Sequence, residues 1–302
     1  MNRLILISLL FISCQGSTSA YRTDIDHSRD SDSKLLMASE GTSAAPIEAR
    51  KRLGPIDSIV SKMLFPGRDT KQDFYKCENQ RVYKYDIVDS SYEGVAVRYY
   101  ERDNGGDDAI LFFHGNGSTA CGSIDLANYL TGVFNKSIIV AEYPGYSNDS
   151  QISSEASLTE SSLAMYREVK DKYSNVDIFA HSLGTGIASF IASVEDVNNI
   201  VLYAPFDNIL NVAKTKFPGL LHPLVSRALK KNMFSSDEWL KNTEARVFIA
   251  HGQKDEMIPI ELAKNLFSQV AGEDKVFIEL ENVDHNTIVF DKDLNNEINK
   301  IH

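Results

Sequence analysis

The sequence predicts an α/β domain: a mostly parallel, doubly wound sheet with a leading antiparallel hairpin and a small helical cap. Three observations carry that expectation. Short apolar runs recur along the chain, stretches of helical periodicity lie between them, and an alternating pair of segments precedes the series. Runs that are apolar on both faces are what a parallel sheet buried between helix layers requires. Regular alternation of strand and helix then gives crossovers of one hand.

The hairpin comes first. "RVYKYDIV" (81–88) and "GVAVRYY" (94–100) alternate apolar and polar residues around the turn-forming "DSSYEG". The apolar runs follow: "AILFF" (109–113), "SIIVAEY" (137–143), "VDIFA" (176–180), "NIVLYA" (199–204), "RVFIA" (246–250) and "KVFIEL" (275–280). Between them, Ser157 to Tyr173 reads as a helix. It opens on the capping-box pattern Ser157-Leu158-Thr159-Glu160 and carries an apolar stripe of Met165, Tyr166, Val169 and Tyr173. Further helices are expected at 122–133, 183–193, 259–270 and near 293–301, and a helical cap at about 205–245.

The 302 residues suffice for one large domain, expected over 53–302, plus a tail. With 43% apolar and 24% charged residues the body has the composition of a soluble globular core. A formal net charge of -11 argues against nucleic acid and against adhesion to acidic lipid through a basic patch.

The first fourteen residues differ in character. "MNRLILISLLFISC" has a basic start at Arg3 and an apolar run from Leu4 to Ile12, too short to span a bilayer but suited to export. It ends in Ser13-Cys14, which resembles a bacterial lipobox, with Cys14 as the residue that would carry lipid. A plain secretory signal and an uncleaved anchor are the competing readings. All three expect a protein exported to a bacterial envelope, periplasm or exterior. Residues 15–52, rich in Ser, Asp, Thr and Ala, bury too little apolar surface to repay their ordering entropy and read as a flexible tether. Cys77 and Cys121 either pair in an oxidising compartment or are two buried small residues; the second reading is preferred.

In doubly wound sheets chemistry sits beyond the carboxyl ends of the strands, and four such ends hold suitable residues. Ala180-His181-Ser182-Leu183-Gly184 matches the strand-to-helix elbow G-x-S-x-G with Ala in place of the first glycine. Ser182 there is a nucleophile, or else an ordinary helix cap. His114-Gly115-Asn116-Gly117 closes an earlier strand, where the amide of Asn116, with that of Leu183, is placed to stabilise an oxyanion. The alternative is a glycine-rich turn with no ligand. "VFIAHGQKDEMIP" sets Asp255 just past a strand, with Glu256 as an adjacent competitor. "LENVDHNTIVF" sets His285 past the last strand, with Asp284 as a rival acid. The order Ser182, Asp255, His285 is that of a Ser…Asp…His triad, with His285 as general base and then acid.

With "FFHGNGS", "AEYPGYS", "AHSLGTG", "HGQKDEMIP" and "DHNT", residues 80–290 resemble the α/β-hydrolase superfamily. They look most like its small single-domain branch, which includes Bem46-like and ABHD13- or ABHD17-type serine hydrolases. The resemblance implies Ser182 as nucleophile, Asp255 as acid and His285 as base, with oxyanion amides from Asn116 and Leu183. Ala180, the Asp284 that stands where a glycine usually precedes the histidine, and the shortened "PGYSNDS" motif depart from the pattern.

These expectations amount to a two-step hydrolase of an ester or thioester with a small to medium apolar acyl group. It requires no metal or other cofactor. Amide cleavage, acyl transfer to another acceptor, and an exported binding lipoprotein without turnover are the alternatives. Phe217, Leu220, Leu221, Leu224 and Val225 in the cap, with Tyr143 and Tyr146 opposite, are expected either to line an acyl pocket or to glue the cap to the body.

Overall fold

A computed structural model describes residues 55–70, 73–77 and 85–301. The expectations placed on residues 1–52, including the export signal, Cys14 and the tether, lie outside the described residues, as do positions 81–84 of the first hairpin run. From Ile56 onward the chain forms one unit.

Eight strands make one sheet. They are β1 (Asp86–Tyr92), β2 (Val95–Arg102), β3 (Asp108–Phe113), β4 (Ser137–Ala141), β5 (Asn175–His181), β6 (Asn199–Tyr203), β7 (Arg246–Gly252) and β8 (Lys275–Leu280), ordered β1-β2-β4-β3-β5-β6-β7-β8. β1 and β2 form the antiparallel hairpin, and β2 joins β4 antiparallel. Every pairing from β4 to β8 is parallel. Each apolar run of the sequence is therefore a strand, and the chain has the α/β-hydrolase fold.

The period-two pattern of the strands divides the core. On β3, Ala109, Leu111 and Phe113 enter one apolar layer while Ile110 and Phe112 enter the other. The first layer is covered by α1 (Pro55–Leu64), α3 (Glu155–Lys172), α4 (Leu183–Val194) and α8 (Ile260–Gln269). The second is covered by α2 (Ile124–Phe134) and α9 (Lys292–Ile301). Between β6 and β7 run α5 (Ile209–Lys216), α6 (His222–Leu229) and the short α7 (Ser236–Trp239), with 3-10 turns between them.

Two expectations need correction. The capping box of α3 lies one turn earlier than predicted. Ser154 is the N-cap and accepts from the Ser157 amide at 3.1 Å, while Ser157 Oγ accepts from the Ser154 amide at 3.0 Å. A serine at the third helical position replaces the Glu of the usual signature, so the more familiar Ser-x-x-Glu match drew the boundary too late. The frame shift frees Glu155 to accept the Phe234 amide at 2.6 Å and so tether the cap. The second correction concerns Cys77 and Cys121, which form a disulfide with a Cα–Cα distance of 5.6 Å.

Candidate active site

The four strand ends converge. Ser182 follows β5 and starts α4 with φ 52° and ψ −118°, a left-handed conformation strained for any residue with a side chain. Its amide donates to Tyr203 O on the neighbouring strand at 3.0 Å, and its side chain makes no cap to the helix, so it is not an ordinary helix cap. A Cβ at Gly184 would overlap the carbonyl oxygen of Phe113, so only glycine lets α4 leave the sheet this close to β3. The departure at Ala180 is absorbed in the first core layer, where its methyl is wholly buried.

Ser182 Oγ lies 3.0 Å from His285 Nε2, and His285 Nδ1 lies 2.7 Å from Asp255 Oδ2. All three residues are buried. Asp255 Oδ1 accepts the amides of Met257 (2.9 Å) and Ile258 (2.8 Å), which fixes the carboxylate plane. Burial works to raise the Asp255 carboxyl, but the hydrogen bond and field of His285 and the Ile258 amide outweigh it and hold it below the usual carboxylate range. The loops bearing Asp255 and His285 are laced together: Gln253 N donates to Leu280 O at 2.8 Å and Lys254 N to Val283 O at 3.1 Å. The competing acids are placed differently. Asp284 Oδ1 accepts the amides of Asn286 and Thr287 in a local turn, and Glu256 is exposed, its backbone carbonyl accepting from Lys216 Nζ.

The loop after β3 is held at several points. Gly115 O accepts from His114 Nδ1 at 2.8 Å and from the Ser118 amide at 3.1 Å. Because a trans peptide sets C=O and N–H on opposite sides, these two donors aim the Asn116 N–H the other way. Gly115 backs onto the elbow: a Cβ there would lie 3.2 Å from His181 Nδ1 and 3.4 Å from Ser182 Cβ. Asn116 O is held by Gly67 N (3.1 Å) and the Tyr146 hydroxyl (3.1 Å), and His114 O by the Tyr143 hydroxyl (2.7 Å). Among the described residues, no hydrogen-bond acceptor is matched to the amides of Asn116 and Leu183. The latter is a first-turn amide, which a helix leaves unpaired.

The residues expected to line a pocket are placed differently. Tyr143 and Tyr146 are wholly buried and serve as braces under the Asn116 loop. In the cap, Leu220 is 92% and Leu224 64% exposed, so neither faces the interior, while Phe217, Leu221 and Val225 are half-buried. Pattern reading treated the cap leucines as inward because it had no helix phase to separate them.

Three histidines outside the triad were missed as site residues. His114 binds Gly115 O, His251 Nδ1 binds Gly252 O at 3.0 Å, and His181 Nε2 binds His285 O at 2.8 Å. Each holds a carbonyl at or beside a segment that carries Asn116, Asp255 or His285. The sequence signal was there in the repeated His-Gly at the ends of β3 and β7.

No protein-family model matches the chain. It is 28% identical to the lysophosphatidylserine lipase ABHD12 of Macaca fascicularis, over 54% of this chain and 45% of that protein. It is 30% identical to Protein ABHD12B of Homo sapiens, over 54% of this chain and 49% of that one. The chain spans about half the length of the curated relatives it matches. Its fold is similar to that of an esterase from Pyrococcus furiosus, with a TM-score of 0.60 at 15% identity, covering 74% of this chain and 92% of the other. The relatives support the α/β-hydrolase superfamily, and these two are ABHD12 and ABHD12B proteins, neither of them of the expected ABHD13 or ABHD17 types.

Proposed function

We propose that this chain, which belongs to the α/β-hydrolase superfamily, is a serine hydrolase that cleaves the carboxylic ester of a single-chain lipid through an acyl-enzyme. The observation that carries the reading is the unbroken chain Ser182 Oγ, His285 and Asp255, at 3.0 and 2.7 Å, with the serine held at positive φ. Ser182 Oγ attacks the ester carbonyl as its proton passes to His285 Nε2, and His285 Nδ1–H keeps its hydrogen bond to Asp255, which stabilises the imidazolium. The oxyanion is received by the amides of Asn116 and Leu183. His285 returns the proton to the departing alcohol, leaving Ser182 acylated. Water then attacks the acyl-enzyme, giving its proton to His285, and the carboxylic acid leaves as Ser182 recovers a proton.

The lipid class is taken from the relatives, one of which is named a lysophosphatidylserine lipase. Thioesters of similar acyl groups are a second substrate class for the same machinery. A binding protein without turnover is disfavoured by the strain at Ser182, of about 1–3 kcal/mol, for which binding alone provides no reason. Export is part of the proposal: a Cys77–Cys121 disulfide fits folding in an oxidising compartment, with Cys14 as the candidate lipid anchor.

The test is labelling of the full chain by a fluorophosphonate, followed by turnover of p-nitrophenyl esters of increasing chain length, monoacylglycerol and lysophosphatidylserine. Wild type labels and turns over. Ser182→Ala loses labelling and at least about four orders of magnitude in kcat. A folded wild type that neither labels nor turns over any ester overturns the reading.

A further inference from the structure

The cap carries charge and apolar surface in a pattern that the net charge hides. Between Asp207 and Asp237 the chain has five basic side chains (Lys214, Lys216, Arg227, Lys230 and Lys231) and no acidic one, although the whole chain is strongly acidic. All five are exposed. In the same segment lie Leu220 and Leu224, two of the few large apolar side chains that the described residues leave open to solvent, at 92% and 64% exposure.

These residues lie close together in one short segment. Leu220 sits in the 3-10 turn Gly219–Leu221 that runs straight into α6. Within α6, Leu224 and Arg227 stand three residues apart on one face, with Leu220 in the turn just before the helix and Lys230 and Lys231 in the turn just after it. The opposite face packs inward at Leu229. The segment thus has leucines at its start and cations at its end, with Lys214 and Lys216 in the last turn of the preceding helix. Such a face is what an interfacial helix presents to lipid: apolar side chains enter the acyl boundary while Lys and Arg meet anionic headgroups.

We propose that the outer face of α6 and the turn before it dock this enzyme onto an anionic phospholipid surface. The leucines select the partner. A polyanion such as nucleic acid would complement the cations but would leave Leu220 and Leu224 in water. Lys216, four residues before Leu220, donates from Nζ to Glu256 O at 2.7 Å, next to Asp255, so the chain segment that carries this face begins at the site. The net charge of the whole chain does not oppose such a face, because charges beyond a Debye length of about 8–10 Å are screened.

The test uses full-length Ser182→Ala and Cys14→Ser protein, so that neither turnover nor lipidation interferes, with an NBD fluorophore on Leu224→Cys. A control carries the label on Glu273→Cys, an exposed position that precedes β8 at the other end of the sheet. A local label reports on this face whatever the first fourteen residues do. With vesicles containing phosphatidylglycerol, the label at 224 shifts to the blue and brightens about twofold or more, and with phosphatidylcholine alone it changes little. Arg227→Glu with Lys230→Glu removes the response, and Leu220→Ser weakens vesicle affinity about tenfold. No change at 224 with anionic vesicles overturns the proposal. So does an equal change at 273, or a response to heparin without lipid that vesicles do not reproduce. Because binding is read in a Ser182→Ala background, this outcome is independent of whether the chain hydrolyses an ester.

Discussion

The Nε2 of His181 lies 2.8 Å from the carbonyl oxygen of His285, so the residue before the serine holds the backbone of the histidine that faces it. Burial lowers His181 to about 3, so the ring stays neutral and Nε2–H remains a donor throughout the physiological range. His181 touches no reacting atom. It is a positioning residue, and His181→Ala is expected to lower kcat about tenfold with little change in KM, because a small displacement of the base slows attack more than binding. His181→Gln, which keeps an N–H donor, recovers part of the loss. Steady-state kinetics on a soluble ester reads the split; a rise in KM at constant kcat would point to a binding role instead.

The pH dependence of stability follows from three groups with one sign. Burial holds both His181 and His251 below the usual histidine range, so the unfolded chain binds protons that the folded one does not. Their contribution is complete above about pH 6.5 and is lost as pH falls toward the folded values. Asp255, against its burial, is held low by His285, so its contribution is present above about pH 4 and disappears as pH falls through its folded value. Urea unfolding at pH 7.5, 6 and 5 is therefore expected to show steadily lower stability. His251→Asn, at a wholly buried position, should flatten the slope by at most about 1.4 kcal/mol per pH unit. A slope unchanged in that variant would mean that His251 takes up its proton as readily in the folded state as in the unfolded one.

The elbow makes a prediction about one methyl group. At Gly184 a Cβ would overlap the backbone of Phe113, which cannot move without breaking β3 from its neighbours. At Gly186 the nearest atoms would be side-chain carbons of Phe234 at 3.0 Å, which need shift by only a few tenths of an ångström. Gly184→Ala should cost about 3 kcal/mol and abolish fluorophosphonate labelling, whereas Gly186→Ala should cost about 1 kcal/mol and keep it. Thermal unfolding with labelling of both variants decides this. Equal, mild losses would mean that the elbow tolerates more space than its geometry implies.

What the sequence made legible was whatever repeats locally. Strands buried on both faces, helices with a stripe, and residues just past strand ends are all set by neighbours a few positions away. Ser182, Asp255 and His285 were therefore singled out by place as well as by type. What it hid depends on contacts between distant segments. Gly67 meets Asn116 from 49 positions away, and Tyr146 meets it from 30, so neither signals its role locally. The tyrosines looked like pocket wall because an aromatic after a strand is common to both roles. The cap leucines looked inward because helix phase in a short segment is set by what it packs on. Pairing of Cys77 with Cys121 depends on a distance that no spacing encodes.

That disulfide leads to the last prediction. Cys77 follows the turn Phe74–Lys76, and Cys121 opens the turn that leads into α2, five positions past Asn116. The covalent link is supported by packing: Phe74 stacks on Tyr100 with ring centroids 4.9 Å apart, and the Tyr100 hydroxyl donates to Phe74 O. Cross-linking positions 44 residues apart restricts the unfolded chain by about 4 kcal/mol of loop entropy. Removing the bond with Cys77→Ala and Cys121→Ala, or by reduction, should therefore cost about 2–4 kcal/mol while the triad geometry survives, since neither cysteine touches it. The check is urea unfolding with and without reductant, alongside labelling of Ser182 well below the unfolding midpoint. Intact labelling with a lowered midpoint assigns the bond a purely stabilising role. Labelling lost before unfolding would instead make the bond a brace of the Asn116 loop, because that loop is the part of the site nearest to Cys121 along the chain.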